Sequence, residues 1–279
     1  MFKGKKRKLA GALLLTASML LAACGSKEKD AGSGAGTEPA GSGAKNALEQ
    51  IKENDKITFG VKHDTRLFGL KNPSTGEVEG FDIDISKELA KEILGDESKA
   101  EFKEVTSKTR IPMLNNGDID AIVATMTISE ERKKEVDFSD VYFLAGQSLL
   151  VKKGSAVKGL EDLVKGTKVL AVKGSTSAIN IREKAPETTV LEYENYAEAF
   201  TALKAGQGDA LTTDDSILYG MADQDESFEL VGGTFTDEPY GIAAKKGNTE
   251  LVDAINDALK KMKDSGKYDE IHDKWIKKH

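Results

Sequence analysis

Charged and hydroxyl residues follow several predicted strands, where a chain of alternating strands and helices places its binding groups. Arg132 comes early in a predicted helix just after a buried strand, and Asp214 and Asp215 follow the strand segment ALTT. Ser175 and Thr176 begin the helix after the strand KVLAV. Arginine suits bidentate binding of carboxylates, and hydroxyls at a helix N-terminus suit anions. These residues suit noncovalent binding of a small charged molecule.

Each of these residues also has a structural interpretation that the local sequence leaves open. Arg132 is followed by Lys133 and Lys134, so its spacing alone allows a solvated helix surface. Acids at the start of a helix favour its dipole, and Ser175 can cap the helix that follows it.

Cysteine and histidine are too scarce for most metal and nucleophile chemistry. The 279 residues contain one Cys and three His, at positions 63, 272 and 279. One Cys excludes an intrachain disulfide and a multi-cysteine zinc or iron–sulfur site, and scattered His argue against a His-built metal site. No nucleophile–base motif and no P-loop pattern stands out. We therefore predict a protein that is not an enzyme and has no metal or cofactor.

The charge balance argues against nucleic acid as a partner. Lys and Arg number 40 against 47 Asp and Glu, which gives a net charge of −7. An acidic chain is a poor general partner for phosphate backbones or anionic membrane surfaces.

The N-terminal segment is typical of a lipoprotein signal peptide. A basic cluster at residues 3–8 precedes an apolar stretch at 9–21, which is shorter than the roughly 20 residues of a membrane span. Leu-Ala-Ala-Cys at 21–24 resembles the bacterial lipobox, so we predict a signal peptide over 1–23 and lipidation of Cys24. An ordinary signal peptide with a chance cysteine is the alternative. Cleavage removes five positive and no negative charges, which takes the net charge from −7 to −12.

The remaining sequence predicts a flexible tether followed by an α/β fold. Residues 25–44 are rich in Gly and Ser and contain no aliphatic residue larger than Ala, so segment 24–44 is predicted to be a tether. Apolar strands then alternate with amphipathic helices, including a helix at 81–94, a strand at 119–124 and a short helix at 130–136. Such alternation predicts mainly parallel sheets covered by helices.

Two series of these elements predict two lobes joined by two crossings of the chain. The ligand site of that architecture lies in the cleft facing the strand ends. The predicted boundaries are a large lobe over 45–141 and 242–279, a small lobe over 147–237 and a hinge at 142–146 and 238–241.

Several sequence blocks together carry a resemblance to a known family. They are GFDIDI, RIPMLNNGDIDAIVATMTISEERKKEVDFSDVYF, GQSLLVKKGS, GLEDLVKGTKVLAVKGST, GDALTTDD and YGIAAKKGN, and they occur in the family's order. The chain resembles the family 3 extracellular solute-binding proteins, which serve polar amino-acid uptake by ABC transporters. The resemblance implies a type II periplasmic-binding-protein (Venus flytrap) fold.

The resemblance also implies roles for individual residues in binding the main-chain end of an amino acid. Arg132 would clamp the α-carboxylate, and Thr125 and Thr127 would hydrogen-bond the same end of the ligand. Thr176 would grip the carboxylate from the small lobe, and Asp214 would face the ammonium group.

The sequence says less about which amino-acid side chain the site would accept. Lys62, Arg110 and Tyr196 match positions that face the ligand side chain in the glutamate- and aspartate-binding branch of the family. A second carboxylate needs extra positive charge, so we expect an acidic amino acid. Glutamine is the alternative, because related chains with KTRIP and FGVK are also called glutamine-binding. Lys62 could instead be a surface residue or an ion-pair partner of Asp64.

The expected function is that of a monomeric, lipid-anchored binding protein on the extracytoplasmic face of a cell membrane. It would capture glutamate or aspartate by lobe closure and deliver it to an ABC permease. Two further functions fit the same fold, namely a sensory lipoprotein without a dedicated permease and a cyclohexadienyl-dehydratase-like enzyme.

Overall fold

The computed structural model describes residues 46–276, within one compact unit that spans Ala44–His279. The predicted signal peptide, Cys24 and the tether lie outside the described residues. The helices of the described part are α1 (Ala47–Asn54), α2 (Phe81–Leu94), α3 (Arg110–Asn116), α4 (Glu130–Lys133), α5 (Thr176–Lys184), α6 (Tyr196–Lys204), α7 (Asp215–Ala222), α8 (Thr249–Asp264) and α9 (Lys267–Trp275). None of these helices combines the length and the apolar character that crossing a membrane requires.

The strands form two five-stranded sheets and one small three-stranded sheet. The strands are β1 (Ile57–Val61), β2 (Asp64–Thr65), β3 (Gly69–Lys71), β4 (Val78–Glu79), β5 (Ala100–Glu104), β6 (Ala121–Ile122), β7 (Val136–Ala145), β8 (Gln147–Lys152), β9 (Lys168–Val172), β10 (Thr189–Tyr193), β11 (Ala210–Asp214), β12 (Phe228–Val231) and β13 (Glu238–Lys245). The sheet orders are β5-β1-β6-β13-β7, β10-β9-β11-β8-β12 and β2-β3-β4.

Each large sheet has a parallel part and an antiparallel part. In the first, β1 pairs in parallel with β5 and β6, while β13 runs antiparallel to β6 and β7. In the second, β9 pairs in parallel with β10 and β11, while β8 runs antiparallel to β11 and β12. The first sheet combines strands from both ends of the chain and the second uses the middle, so the fold is α/β with two sheet-based lobes.

The two crossings between the lobes continue a pair of long antiparallel strands. β7 pairs with β13 from Glu238↔Ala145 to Lys245↔Val136. The helix predicted at 130–136 was wrong at its end: α4 stops at Lys133, and Val136 already belongs to β7. Pairing with a strand more than ninety residues away outweighs the local helical spacing.

Helix α2 of the large lobe begins directly after a glycine, Gly80. Gly80 has φ 148°, and a Cβ at this position would lie 2.2 Å from the carbonyl oxygen of Phe68. Only glycine tolerates both conditions. α2 then buries Ile85 and Leu89 in the main hydrophobic core, as its spacing predicts.

Candidate functional site between the two lobes

Predicted site residues from both lobes meet in the closed cleft. Arg132 Nη2 of the large lobe donates to the carbonyl oxygen of Gly174 at 3.2 Å. Asp64 Oδ2 accepts from the backbone N–H of Tyr196 at 2.7 Å. Seven of the eight predicted residues are buried, and the eighth, Thr176, is half-buried. The buried ones are Lys62, Arg110, Thr125, Thr127, Arg132, Tyr196 and Asp214.

Arg132 is held by backbone contacts to both lobes. Ser129 caps α4 and accepts from the N–H of Arg132. Arg132 Nη1 donates to the carbonyl oxygen of Thr127 at 2.7 Å, and Nη2 donates to Gly174. These two bonds fix the plane of a guanidinium that has five N–H groups, so it retains donors for a ligand carboxylate. Its pKa is lowered chiefly by burial, against the opposing effect of Asp214 and Glu238.

Asp214 offers a buried oxygen at the end of β11. Its Oδ2 accepts from the hydroxyl of Tyr240 at 2.5 Å, while Oδ1 is buried and accepts no hydrogen bond from the described residues. Burial, with a contribution from Glu238, raises the pKa of Asp214 to about 7. Such a carboxyl gains from a cationic partner, because an ammonium group stabilises its ionised form. Asp215 begins α7 instead, where an acid favours the helix dipole.

A strained loop follows β6, which is shorter than the strand predicted at 119–124. Thr125 has φ 45°, and its N–H donates to Asp82 Oδ2 at 3.1 Å. Arg110 Nη1 donates to the carbonyl oxygen of Ala124 at 2.7 Å. The side chains of Asp82 and Arg110 bond these backbone groups, which are therefore not available for pairing with a neighbouring strand. Strand β6 accordingly ends at Ile122. Thr125 Oγ1 and Arg110 Nε are buried without a hydrogen-bond partner among the described residues.

Lys62 of the large lobe contacts the small lobe at Tyr196. Its Nζ donates to Ser107 Oγ at 2.9 Å and lies 5.1 Å from the ring centroid of Tyr196, a cation–π arrangement. Burial lowers the pKa of Lys62 to about 7, and the positive charges of Arg110 and Arg132 act in the same direction. Lys62 is therefore not a surface residue.

Comparison with known proteins agrees with this architecture. The family model for bacterial extracellular solute-binding proteins, family 3, matches residues 57–278. The chain belongs to this family. It is 72% identical over 263 residues, 94% of each chain, to the ABC transporter glutamine-binding protein GlnH of Bacillus subtilis (strain 168). It is 70% identical to the glutamine-binding protein of Geobacillus stearothermophilus, over 72% of this chain and 77% of that one.

A solved structure of the same type confirms the type II periplasmic-binding-protein fold. An ancestral arginine-binding protein bound to glutamine shares 45% identity with this solute-binding protein, with a TM-score of 0.75. The match covers 80% of this chain and 98% of that chain.

Two buried acids of the site were missed by sequence reasoning. Asp82 is fully buried, accepts from Tyr142 and Thr125, and has its pKa raised to about 7 by burial. Glu238 is 2% exposed and accepts from Thr127 Oγ1 at 2.6 Å and Thr176 Oγ1 at 2.8 Å. An acid between the apolar Phe81 and Ile83 was a usable signal for Asp82, whereas nothing local marks Glu238.

The pH dependence of stability tests the burial of Lys62. Between pH 7 and 10 the unfolded chain, with a lysine pKa near 10.5, binds more protons at this side chain than the folded chain does. The free energy of unfolding therefore rises with pH in this window. We expect wild type to gain on the order of 1 kcal/mol per pH unit over Lys62→Met in urea unfolding.

The matched control for this measurement is Lys133→Met, which removes an exposed lysine. The difference between wild type and this control should stay constant from pH 7 to 10. Parallel curves for wild type and Lys62→Met would contradict a buried, destabilised lysine charge.

Proposed function

We propose that this family 3 solute-binding protein captures L-glutamine between its lobes and delivers it to an ABC permease. The observation that carries the proposal is the balance of buried charge at the site. Three cations, Lys62, Arg110 and Arg132, lie among three buried carboxyl groups, Asp82, Asp214 and Glu238. A shell with balanced charge suits a zwitterion with a neutral side chain better than a ligand with a net negative charge.

The expectation of an acidic ligand rested on these cations and on the resemblance of Lys62, Arg110 and Tyr196 to positions of the glutamate- and aspartate-binding branch. A second ligand carboxylate would need an uncompensated cation, because an unpaired charge moved out of water costs several kcal/mol. Arg110 already donates to the carbonyl oxygens of Ala124 and Thr125, and Lys62 donates to Ser107, so neither cation is held in reserve for a second carboxylate. The acidic expectation is not confirmed. The names of the two relatives with 72% and 70% identity also favour glutamine.

The closed cleft gives each end of the ligand a partner. Arg132 would bind the α-carboxylate, and the free oxygen of Asp214 would bind the ammonium group. Because the two lobes supply different parts of this shell, the ligand stabilises the closed state. The closed form would dock on the permease, while a separate ATPase subunit supplies the energy. Lipidation of Cys24 and the tether would hold the protein on the extracytoplasmic face of the membrane.

Calorimetry with all twenty amino acids tests the proposal. The chain from Ala44 to His279 is compact by itself, and unfolding followed by refolding removes any co-purified ligand. We expect glutamine to bind at least 10-fold more tightly than glutamate or aspartate, about 1.4 kcal/mol or more. Tighter binding of glutamate or aspartate would restore the hypothesis of an acidic ligand. No binding of any amino acid would overturn the proposal.

A further inference from the structure

A short segment of the large lobe, residues 64–66, contacts two helices of the small lobe. Oδ2 of Asp64 accepts from the backbone N–H groups of Tyr196 and Ala197, at 2.7 and 3.4 Å. These are the first two residues of α6, and the next N–H of that helix is already bonded to the N-cap side chain. A carboxylate at a helix N-terminus is stabilised by the free N–H groups and by the helix dipole. Asp64 therefore attracts the small lobe.

The same segment approaches α7 so closely that a side chain does not fit between them. Gly220 lies within α7 and is buried, and a Cβ at this position would lie 2.8 Å from the carbonyl oxygen of Arg66. Because this oxygen belongs to the backbone, it cannot rotate away as the end of a flexible side chain can. Alanine would be more favourable than glycine inside a helix. The close approach of the other lobe therefore explains the glycine.

The contacting segment is fixed to the large lobe. Thr65 lies in β2 of the three-stranded sheet, and its carbonyl oxygen accepts from the N–H of Phe68 at 3.1 Å. Phe68 is fully buried in the main core. The carbonyl oxygen of Leu67 accepts from the N–H of Phe81, the first residue of α2, at 2.7 Å. Since the segment moves with the large lobe, separation of the lobes breaks its contacts with α6 and α7.

We infer that residues 64–66 form a latch with α6 and α7 that sets the balance between open and closed lobes. Asp64 is its attractive part, and Gly220 is the small residue that permits the approach. Both are positioning residues, because they act through the closed state and are not among the residues proposed to bind the ligand. The apparent affinity of a ligand falls with the fraction of protein in the binding-competent state. The inference rests on the proposed function only for the choice of L-glutamine as the probe.

Gly220→Ala tests the steric part of the latch through two effects that differ in direction. We expect L-glutamine to bind at least 10-fold more weakly in calorimetry, because the added methyl group meets the Arg66 carbonyl on closure. The melting temperature without ligand should be unchanged or higher, because open lobes leave room for the methyl group and alanine favours the helix. Small-angle X-ray scattering, at an L-glutamine concentration that saturates wild type, should show less compaction of the variant than of wild type.

Asp64→Ala tests the attractive part. We expect about 10-fold weaker binding of L-glutamine, because two N–H groups of α6 lose their charged acceptor. Glu79→Ala is the matched control, since it removes an exposed acid from the same three-stranded sheet. Asp223→Ala is the control for Gly220→Ala, since it places alanine at the exposed end of α7. Both controls should bind L-glutamine within 2-fold of wild type.

An affinity within 2-fold of wild type in Gly220→Ala would overturn the latch. A lower melting temperature of this variant without ligand would also overturn it, because the glycine would then serve the packing of the small lobe. An unchanged affinity in Asp64→Ala would remove Asp64 from the latch. Failure of the proposed function has a different signature, since wild type itself would not bind L-glutamine. The latch would then be tested with the amino acid that the calorimetry identifies.

Discussion

Replacement of Arg132 by alanine should weaken L-glutamine binding by about 100-fold or more. The side chain is 9% exposed, and its guanidinium is oriented by the carbonyl oxygens of Thr127 and Gly174. Its loss would remove the donors that we propose for the ligand carboxylate and would take away a cation that acts on Asp214 and Glu238. Breaking a buried ion pair costs about 3–5 kcal/mol, and each 1.4 kcal/mol is tenfold in affinity.

Calorimetry of Arg132→Ala beside Lys133→Ala measures this effect against a neighbouring exposed cation of the same helix. Lys133 pairs with Glu130 at 2.7 Å on the surface, so its loss should change the affinity less than 2-fold. Arg132→Lys should bind with an intermediate affinity, because it keeps the charge but loses the bidentate geometry. A change below 3-fold in Arg132→Ala would show that the carboxylate clamp lies elsewhere.

Replacement of Asp214 by asparagine should produce a loss of similar size that is specific for the ammonium group. Asp214 is 3% exposed, and its Oδ1 accepts no hydrogen bond from the described residues. Asparagine preserves the shape of the side chain but removes the negative charge that an ammonium group needs in a dry cleft. We expect L-glutamine to bind at least 100-fold more weakly. The analogue 4-carbamoylbutanoate, which is glutamine without its α-amine, should bind with unchanged or higher affinity.

Asp223→Asn is the control for this second substitution. Asp223 is exposed at the end of α7, the helix that follows Asp214, so its charge is far less costly to remove. Equal losses for both ligands in Asp214→Asn would indicate collapse of the site. A melting temperature measured without ligand separates that outcome from a lost ion pair.

Local sequence predicted the elements whose patterns are self-contained. The helix over 81–94 agrees with the structure because its apolar spacing and the preceding glycine both act within a few residues. The different positions of Asp214, which ends a strand, and Asp215, which begins a helix, also follow from local order. The family emerged from several blocks in the correct order, and its model matches 57–278.

The ligand preference depended on charges that only the folded chain brings together. From the sequence, the cations Lys62, Arg110 and Arg132 suggested a site with excess positive charge. The carboxylate of Glu238 meets the hydroxyl of Thr127 across 111 residues of sequence, and no spacing rule connects them.

The fold class, the family and the cations of the site were all accessible from the linear chain, because apolar periodicity and ordered motifs are local properties. The acids that are buried beside those cations became known only from the packing of the two lobes. Burial and hydrogen bonding depend on three-dimensional proximity, and they place three buried carboxyl groups beside the three cations, which is the observation on which the glutamine proposal rests.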